Sequence, residues 1–243
     1  MRTNVDDEGT TKNVLNENMG VETEVKYGRK IVLITWHNMQ QVLASLLPPG
    51  MVKTGRSLSS FEEGEDSVTL HFEGGEATVR CNVALMCDGV FSTARTQLFP
   101  EDKVVYFGQL NWGSVVRTNS LPPAIHPPNA VRYCQYSGEP KWMAMLNDGG
   151  GGYTFFQLRI SDPEKALALS GNGGRSGLGL SGAIERLSPI VKPCKDVASV
   201  LTSIPEEQIF ERSIVGRRPT QTWLSPRKRV ALVGDAAHGM HPK

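Results

Sequence analysis

Long apolar runs and an excess of charge are both missing from this sequence. No apolar run approaches the roughly 20 residues that a membrane-spanning helix needs, and residues 1–14 lack the apolar segment of a signal peptide. The 26 basic and 25 acidic residues leave a net charge of +1, which gives no electrostatic basis for binding nucleic acid or an acidic membrane surface. We therefore expect a soluble protein whose partners must be inferred from motifs.

Cysteine is also scarce, with only Cys81, Cys87, Cys134 and Cys194. No two of them have the two-residue spacing typical of zinc sites and of redox-active CxxC motifs, so we predict no metal site. The pattern favours reduced, partly buried thiols in an intracellular protein. A disulfide between Cys81 and Cys87 is the alternative that their spacing leaves open.

The composition is that of a folded protein with a substantial core. Hydrophobic residues make up 39% and charged residues 21% of the 243 residues, enough for one large or two small domains. Strand-turn-helix patterns lie in residues 1–100 and 208–243, whereas strands separated by Gly, Pro and Asn fill residues 101–207. The sequence therefore predicts an α/β domain interrupted by an antiparallel-sheet domain.

Hydrophobic periodicity locates the individual elements. Residues 1–29 are polar and weakly patterned, which predicts a loop, and the glycines at 149–152 predict a hairpin tip. The helical pattern at 38–47 places five apolar side chains on one face: Met39, Val42, Leu43, Leu46 and Leu47. Further strands are predicted at 31–34, 67–72, 77–82, 83–86, 103–107, 110–118, 129–136, 141–147, 152–160, 209–214 and 230–233, and further helices at 92–98, 182–187 and 195–201.

The stretch from Arg229 to Pro242, RVALVGDAAHGMHP, has the pattern of a nucleotide-binding strand-turn-helix unit. Its apolar start predicts a buried strand that ends at Gly234. The small residues Gly234, Ala236 and Ala237 allow close approach of the backbone to a ligand, and the N–H groups at a helix start favour a phosphate. Asp235 lies where open α/β sheets bind nucleotides, and its carboxylate can accept hydrogen bonds from ribose hydroxyls. The alternative is that Asp235 only caps the helix.

A second motif stands earlier in the chain, at Cys87-Asp88-Gly89-Val90-Phe91-Ser92-Thr93-Ala94-Arg95. Together the two motifs resemble the DG motif (GADGxxSxxR) and the GDAAHxxxP motif of the FAD-dependent aromatic hydroxylase family, which comprises single-component flavoprotein monooxygenases. The run Arg217-Arg218-Pro219, followed by Trp223 and the strand at 229–232, is similar to the subgroup of zeaxanthin epoxidases and salicylate-hydroxylase-like enzymes. The resemblance implies a partial FAD-binding domain of the three-layer, glutathione-reductase-like Rossmann type, interrupted by an antiparallel-sheet substrate domain.

The sequence departs from the family pattern at several positions. The predicted helix resembles the family helix RxxLQxxL over residues 36–43, WHNMQQVL. In that comparison Gln40 stands on the flavin side, and Trp36 replaces an arginine. The alternative is that this helix only packs through its apolar face. Gly216 replaces the usual aspartate, and Met86 the first glycine of GADG. The glycine-rich segment Gly171–Gly182 contains the string GLGLSG but is not preceded by a strand, so it predicts a surface loop rather than the family's GxGxxG turn. That turn is otherwise missing, and the resemblance covers roughly residues 31–242, so we expect a fragment.

The resemblance also implies a reaction and a set of cofactor contacts. In the family, NADPH or NADH reduces FAD, and the reduced flavin forms a C4a-hydroperoxide that hydroxylates an aromatic ring or epoxidises an alkene. The cofactor carries this chemistry, so we predict no catalytic side chain. The predicted cofactor-binding residues are Asp235 at sugar hydroxyls, Gly234, Ala236 and Ala237 at the pyrophosphate, Pro242 beneath the flavin ring, Asp88 and Gly89 at the phosphates and the nicotinamide, Gln40 on the flavin side, and Arg95.

Several residues have two interpretations. Arg95 either braces its turn through a salt bridge or is a solvated helix residue, and His238 suits packing better than base catalysis. The aromatic residues of the predicted sheet have two possible roles. They either line a pocket for a small apolar or aromatic substrate or form the core of the sheet: Trp112, Trp142, Tyr153, Phe155 and Phe156.

Two other functions also stay open: a reductase or halogenase on the same FAD scaffold, and a non-catalytic fragment. If the full-length protein is a carotenoid epoxidase, we expect it to be located in a plastid.

Overall fold

The computed structural model describes residues 2–5, 11–13, 24–29, 34–75, 78–123, 131–148, 150–171 and 176–241. The chain divides into two compact units. We call Met1–Ser45 with Gly108–Ser213 the sheet unit, and Leu46–Phe107 with Ile214–Lys243 the turn unit. The predicted domain borders follow residues 100 and 207, whereas the two units change after Phe107 and Ser213, and residues 1–45 group with the sheet unit. The functional division of the chain stays a prediction.

Strands and helices alternate irregularly along the chain. The strands are β1 (Arg2–Val5), β2 (Thr11–Asn13), β3 (Leu58–Glu63), β4 (Val68–Phe72), β5 (Thr78–Cys81), β6 (Ala84–Met86), β7 (Val105–Arg117), β8 (Val131–Tyr136), β9 (Trp142–Asp148), β10 (Tyr153–Ile160), β11 (Gly177–Leu178), β12 (Phe210–Gly216) and β13 (Val230–Leu232). The helices are α1 (Trp36–Ser45), α2 (Thr93–Leu98), α3 (Pro163–Leu169), α4 (Ala183–Val191), α5 (Lys195–Ser203) and α6 (Asp235–His238), with 3-10 turns at Thr118–Ser120 and Glu206–Gln208. Within the described residues, no helix is both long and apolar enough to cross a bilayer.

The sheet unit is built on an eight-stranded sheet in the order β11-β12-β7-β10-β9-β8-β1-β2. β10 shows why this sheet has a buried face: its sequence YTFFQLRI alternates, so that Phe156, Leu158 and Ile160 are fully buried while their neighbours are half-buried. The buried row joins Leu187 of α4 and Leu201 of α5 in one core. Burying each such side chain contributes about 1.5–3 kcal/mol, so this core holds the unit together.

The turn unit contains two small sheets and its own core. β3, β4 and β5 form an antiparallel meander, and β6 pairs in parallel with β13. Met86, Leu232, Ala94 and Ala237 share the buried cluster. The side-chain amide of Gln97 in α2 accepts from the Phe61 N–H over 3.0 Å and donates to the Phe61 carbonyl over 2.6 Å, which attaches the helix to β3.

The α/β class is confirmed, but local predictions near the N-terminus are wrong. Residues 2–5 and 11–13 are strands, not loop: β1 pairs in parallel with β8, and this backbone pairing needs no apolar pattern. The helix predicted at 38–47 exists as α1, yet it buries no residue, and Val42 is 55% exposed. The hydrophobic periodicity predicted the helix, but it could not predict whether another segment would pack on its apolar face. Of the strand predicted at 31–34, residues 31–33 lie outside the described residues.

Three further predictions need correction. The strand at 83–86, which its continuous apolar run predicts to be buried, is buried on one face only, because Val83 and Leu85 are exposed while Ala84 and Met86 enter the core. The strands at 103–107 and 110–118 are one continuous strand, β7, in which Gly108 adopts a φ of 74° that a residue with a side chain would rarely adopt. The helix expected at 182–187 extends through Pro189 to Val191.

The helix α3 was missed, although its start signal is present in the sequence. Asp162 accepts a hydrogen bond from the Lys165 N–H over 3.0 Å, and Pro163 occupies the first helical position. In contrast, Gly150, Gly151 and Gly152 have positive φ at the β9–β10 connection, which confirms the hairpin tip for the described glycines.

Candidate functional site

The two motif turns leave the same edge of one small parallel sheet. β6 and β13 pair with Met86 opposite Leu232, and the N–H of Val233 donates to the Met86 carbonyl over 2.9 Å. Paired strands lie about 5 Å apart, and parallel strands present their C-terminal ends at the same edge. The turn after β6 and the turn after β13 are therefore neighbours.

The first turn, at residues 87–92, is fixed by its own side chains. Gly89 adopts a φ of 80°, and its carbonyl accepts from the Ser92 N–H over 3.0 Å. The Ser92 hydroxyl caps α2 by accepting from the Arg95 N–H over 2.9 Å. Asp88 is exposed, and its Oδ2 accepts from the Ala94 N–H over 3.1 Å. The sequence DGxxS thus encodes a rigid turn that presents a carboxylate at the sheet edge.

The second turn requires glycine at its first position. Gly234 has φ 61° and ψ −136°, a conformation open essentially to glycine alone. Its carbonyl then accepts from the N–H groups of Ala237 and His238 over 3.0 and 2.9 Å, which starts the single turn of α6. Ala236 is buried with Ala237, whereas Asp235 is exposed at the helix start. The turn therefore places a carboxylate outward on a tightly packed support.

Arg95 connects the two turns. Its side chain is fully buried, and Nη1 donates to the carbonyl oxygens of Ala236 over 3.0 Å and Ala237 over 2.5 Å. Nη2 donates to the Arg218 carbonyl over 2.7 Å, and Nε lies 2.6 Å from Oδ2 of Asp102. The guanidinium thus satisfies carbonyls of the short helix that have no partner within it. Of the two interpretations of Arg95, the structure shows the buried ion pair; a role in cofactor binding stays a prediction.

Arg217 also contacts both turns and was not among the predicted site residues. Its N–H donates to the Gly239 carbonyl over 2.8 Å, and Nε donates to the Val90 carbonyl over 2.7 Å. Nη1 donates to the Asp102 carbonyl over 3.0 Å and lies 3.3 Å from its carboxylate. Burial lowers the pKa of Arg217, and the charge of Asp102 opposes that shift. The Arg-Arg-Pro run before β13 was the available signal.

Gly216 explains one departure from the family pattern. A Cβ at this position would lie 2.6 Å from the Gly239 carbonyl oxygen and 2.7 Å from the ring of Phe107. The chain after α6 therefore packs directly on the backbone of β12. An aspartate, which the family has here, does not fit this arrangement.

Both histidines of the second motif contact aromatic rings. The ring centroids of His238 and Trp223 are 5.5 Å apart, and those of His241 and Phe107 are 5.1 Å apart in an edge-on arrangement. The contact with Trp223 favours the packing interpretation of His238.

The aromatic residues of the sheet unit divide between core and surface. Trp112, Trp142 and Phe156 are buried in the core, and the indole N–H of Trp112 donates to Oε2 of Glu211 over 3.0 Å. Tyr153 and Phe155 are half-buried on the opposite face of β10. Three of the five residues are therefore core residues, because alternate positions of a strand face opposite sides.

The structure brings most of the predicted cofactor residues together at one sheet edge: Asp88, Gly89, Arg95, Gly234, Asp235, Ala236 and Ala237. Gln40 is exposed on α1, in the sheet unit, and Pro242 lies outside the described residues. Among the described residues, no cluster of His, Cys, Asp and Glu could hold a metal ion.

No family model matches the chain, but individual proteins do. It is 26% identical over 211 residues to the chloroplastic zeaxanthin epoxidase of Arabidopsis thaliana, which is 86% of this chain and 29% of that protein. It is 27% identical over 224 residues to 3-amino-4-hydroxybenzoate 2-monooxygenase of Streptomyces cremeus, which is 92% of this chain and 52% of that protein. The chain thus spans about half, or less, of the length of these relatives.

The fold is similar to that of a flavin-containing protein. HpxO of Klebsiella pneumoniae, solved in complex with FAD and uric acid, superposes with a TM-score of 0.74 at 19% identity, over 99% of this chain and 57% of that chain. At this identity the similarity shows the fold alone. With the sequence relatives, it confirms the resemblance to the FAD-dependent aromatic hydroxylases that the two motifs predicted.

Proposed function

We propose that this chain, which resembles the FAD-dependent aromatic hydroxylases in sequence and fold, is part of an FAD-dependent monooxygenase. The observation that carries the proposal is the adjacency of the two motif turns on β6 and β13, which are linked by Arg95. Two turns that reach one ligand from distant parts of a sequence must leave the same sheet edge, and these do. The family relationship of the sequence relatives supports the oxidoreductase class.

FAD fits the described turns because both leave room where a side chain would otherwise stand. A Cβ built at Gly89 or at Gly234 meets no atom within 4 Å. The backbone can therefore approach a pyrophosphate, with Ala236 and Ala237 packed behind it. Asp235, exposed at the same edge, would accept hydrogen bonds from sugar hydroxyls.

Four further predicted residues would contribute to the cofactor site: Asp88, Arg95, Gln40 and Pro242. Asp88 and Gly89 would contact the phosphate region and the passing nicotinamide, while one oxygen of Asp88 keeps the hydrogen bond from the Ala94 N–H. Arg95 would act through the backbone that it positions rather than by touching the cofactor, because its donors are used by protein oxygens. Gln40 on the flavin side and Pro242 beneath the ring complete the proposed set.

The proposed reaction is NADPH- or NADH-driven hydroxylation or epoxidation of a small apolar or aromatic substrate. Bound FAD supplies the oxygen-transfer chemistry, and the protein supplies position and exclusion of water. We expect this chain by itself to be inactive, since the one GxGxxG string in its sequence, GLGLSG at 177–182, is not preceded by the apolar strand that precedes the pyrophosphate-gripping turn in the family. A non-catalytic role, or a reductase or halogenase reaction on the same scaffold, is the alternative.

Titration of the purified chain with FAD tests the site separately from turnover. We expect quenching of flavin fluorescence on binding, and Asp235→Ala to raise the Kd at least about tenfold, or about 1.4 kcal/mol. Asp66→Ala is the matched control, because Asp66 is an exposed aspartate of the same unit. A folded chain that binds no flavin would contradict the proposal and favour the non-catalytic alternative. Product analysis with NADPH, oxygen and a phenol or an alkene, on a chain that includes the GxGxxG turn, separates oxygenation from reduction.

A further inference from the structure

Two thiols meet in the core of the sheet unit, whereas the candidate cofactor turns belong to the turn unit. Cys134 on β8 and Cys194, the residue before α5, have their sulfur atoms 3.0 Å apart. Both residues are 5% exposed. The other two cysteines are in the turn unit, where Cys81 is half-buried and Cys87 is exposed. No two of the four are joined by a disulfide in this structure.

The surroundings of Cys194 favour its thiolate. Cys134 donates its S–H to the Cys194 sulfur, and this hydrogen bond lowers the pKa of Cys194 to about 7, against the effect of burial. The backbone N–H of Val197 at the start of α5 lowers the pKa further, whereas the Asp196 carboxylate raises it. Thiolates, not thiols, attack oxidants and disulfides. Cys194 is therefore the nucleophile of the pair, and Cys134 is the resolving thiol at contact distance.

We propose that Cys134 and Cys194 are a reversible redox pair that hydrogen peroxide oxidises to a disulfide. The Cys194 thiolate attacks one peroxide oxygen, the O–O bond breaks, and hydroxide leaves and takes up a proton to form water. Cys194 is then a sulfenic acid, and the Cys134 sulfur displaces its hydroxyl group as a second water. Two electrons pass from the two sulfurs to the peroxide, so two thiols and one peroxide give one disulfide and two waters.

Burial selects the oxidant. Both residues are only 5% exposed, so a bulky disulfide such as oxidised glutathione lacks the in-line access to either sulfur that its attack needs, whereas hydrogen peroxide is small enough to need far less access. The pair therefore responds to peroxide rather than to the general thiol-disulfide balance. This distinguishes it from Cys87, which is exposed and open to both kinds of reagent.

Oxidation would join two layers of the unit. The bond links β8 to the start of α5 across 60 positions of sequence, and closing a loop of this length restricts the unfolded chain. The oxidised protein is therefore more resistant to heat than the reduced protein. The same bond stops β8 from separating from the α4–α5 helix pair, which shares its core.

Peptide mapping of the peroxide-treated chain tests the proposal. The chain is treated with hydrogen peroxide, its remaining thiols are alkylated in denaturant, and it is digested without reductant. We expect a linked peptide pair that contains Cys134 and Cys194, a melting temperature raised by about 5 °C or more, and reversal of both by dithiothreitol. Cys134→Ser and Cys194→Ser abolish the linked pair and the shift, and the matched control Cys87→Ser keeps both.

Three results overturn the proposal. One is full alkylation of Cys134 and Cys194 after treatment, with oxidation confined to Cys81 and Cys87. A second is sulfinic acid at Cys194 without any linked peptide. A third is a linkage already complete in protein purified under reductant and resistant to dithiothreitol, because it marks a structural crosslink and not a redox pair. The mapping uses the native sequence, so these results do not depend on the folding of any variant.

Discussion

Arg95 and Ala236 lie 141 positions apart in sequence, and Nη1 of Arg95 is 3.0 Å from the Ala236 carbonyl oxygen. The residue that ends the first motif thereby holds the helix that carries the second. The ion pair of Arg95 with Asp102 extends this link to Arg217, which contacts the same carboxylate. Proteins leave a charge fully buried only when partners compensate it. The partners of Arg95 are the Asp102 carboxylate and the carbonyl oxygens of Ala236, Ala237 and Arg218.

The first prediction concerns the geometry of this guanidinium. In Arg95→Lys the positive charge stays, but one ammonium group cannot donate to all four oxygen acceptors that the planar guanidinium group of arginine reaches. Since a hydrogen bond to a charged group contributes about 1.5–3 kcal/mol, we expect the free energy of unfolding to fall by at least about 2 kcal/mol. Urea denaturation measures this, and FAD titration should show weaker binding at temperatures where the variant is folded. Arg227→Lys, at an exposed position, is the control. Equal stability of Arg95→Lys and wild type would contradict the role assigned to Arg95.

The second prediction concerns Gly216, where the backbone of β12 touches the chain after α6. In Gly216→Ala the new methyl group would lie 2.6 Å from the Gly239 carbonyl oxygen, which forces the two segments apart. Overpacking of this kind costs about 1–3 kcal/mol, and the melting temperature should fall accordingly. Gly64→Ala is the matched control, since a Cβ there would have its nearest contact at 3.3 Å. A Gly216→Ala variant as stable as wild type would show that the close approach is not present.

The third prediction concerns pH. Glu63 of β3 accepts hydrogen bonds from the Ser225 hydroxyl and, over 2.9 and 3.2 Å, from the N–H groups of Arg229 and Arg227, so it fixes the turn before β13. Burial acts to raise the pKa of Glu63, but these hydrogen bonds outweigh it and lower the pKa below its ordinary value of 4.5. The carboxylate therefore contributes stability that is complete above pH 4.5 and is lost as the pH falls through the folded-state value.

Denaturation curves recorded across this pH range test the effect. At pH 7 we expect Glu63→Gln to be less stable than wild type by about 1 kcal/mol, and the difference should shrink as the solution becomes more acidic. Glu101→Gln, at an exposed position of the same unit, serves as the control. A difference between Glu63→Gln and wild type that is constant with pH would argue against the proposed hydrogen bonds to the carboxylate.

The fourth prediction separates core from pocket in the sheet unit. Trp112→Phe removes the hydrogen bond to the buried carboxylate of Glu211 and leaves a cavity, so we expect a loss of about 2–4 kcal/mol in urea denaturation. Trp36→Phe, at a tryptophan that is 69% exposed, should change stability by less than about 0.5 kcal/mol. An unchanged unfolding midpoint for Trp112→Phe would instead favour a pocket-lining role.

Local patterns predicted the elements better than their surroundings. The periodicity of α1 and the apolar run of β6 were enough to identify a helix and a strand, since backbone conformation depends on nearby residues. Neither pattern contained the information that Val42 and Leu85 would be exposed. Burial depends on which other segment covers a face, and a short strand such as β1 is placed by backbone pairing with β8 and β2.

The sequence alone determined the two motif turns and their order. Each turn depends on local features that a dozen residues can encode: Gly234 with small residues after it, and Gly89 followed by a capped helix. These features were the basis of the resemblance to the flavin-dependent hydroxylases. Only the tertiary structure decided that these turns share one sheet edge, that Arg95 and Arg217 link them, and that Cys134 meets Cys194. These contacts join residues 60 or more positions apart, and they form because strand pairing and core packing bring distant segments together.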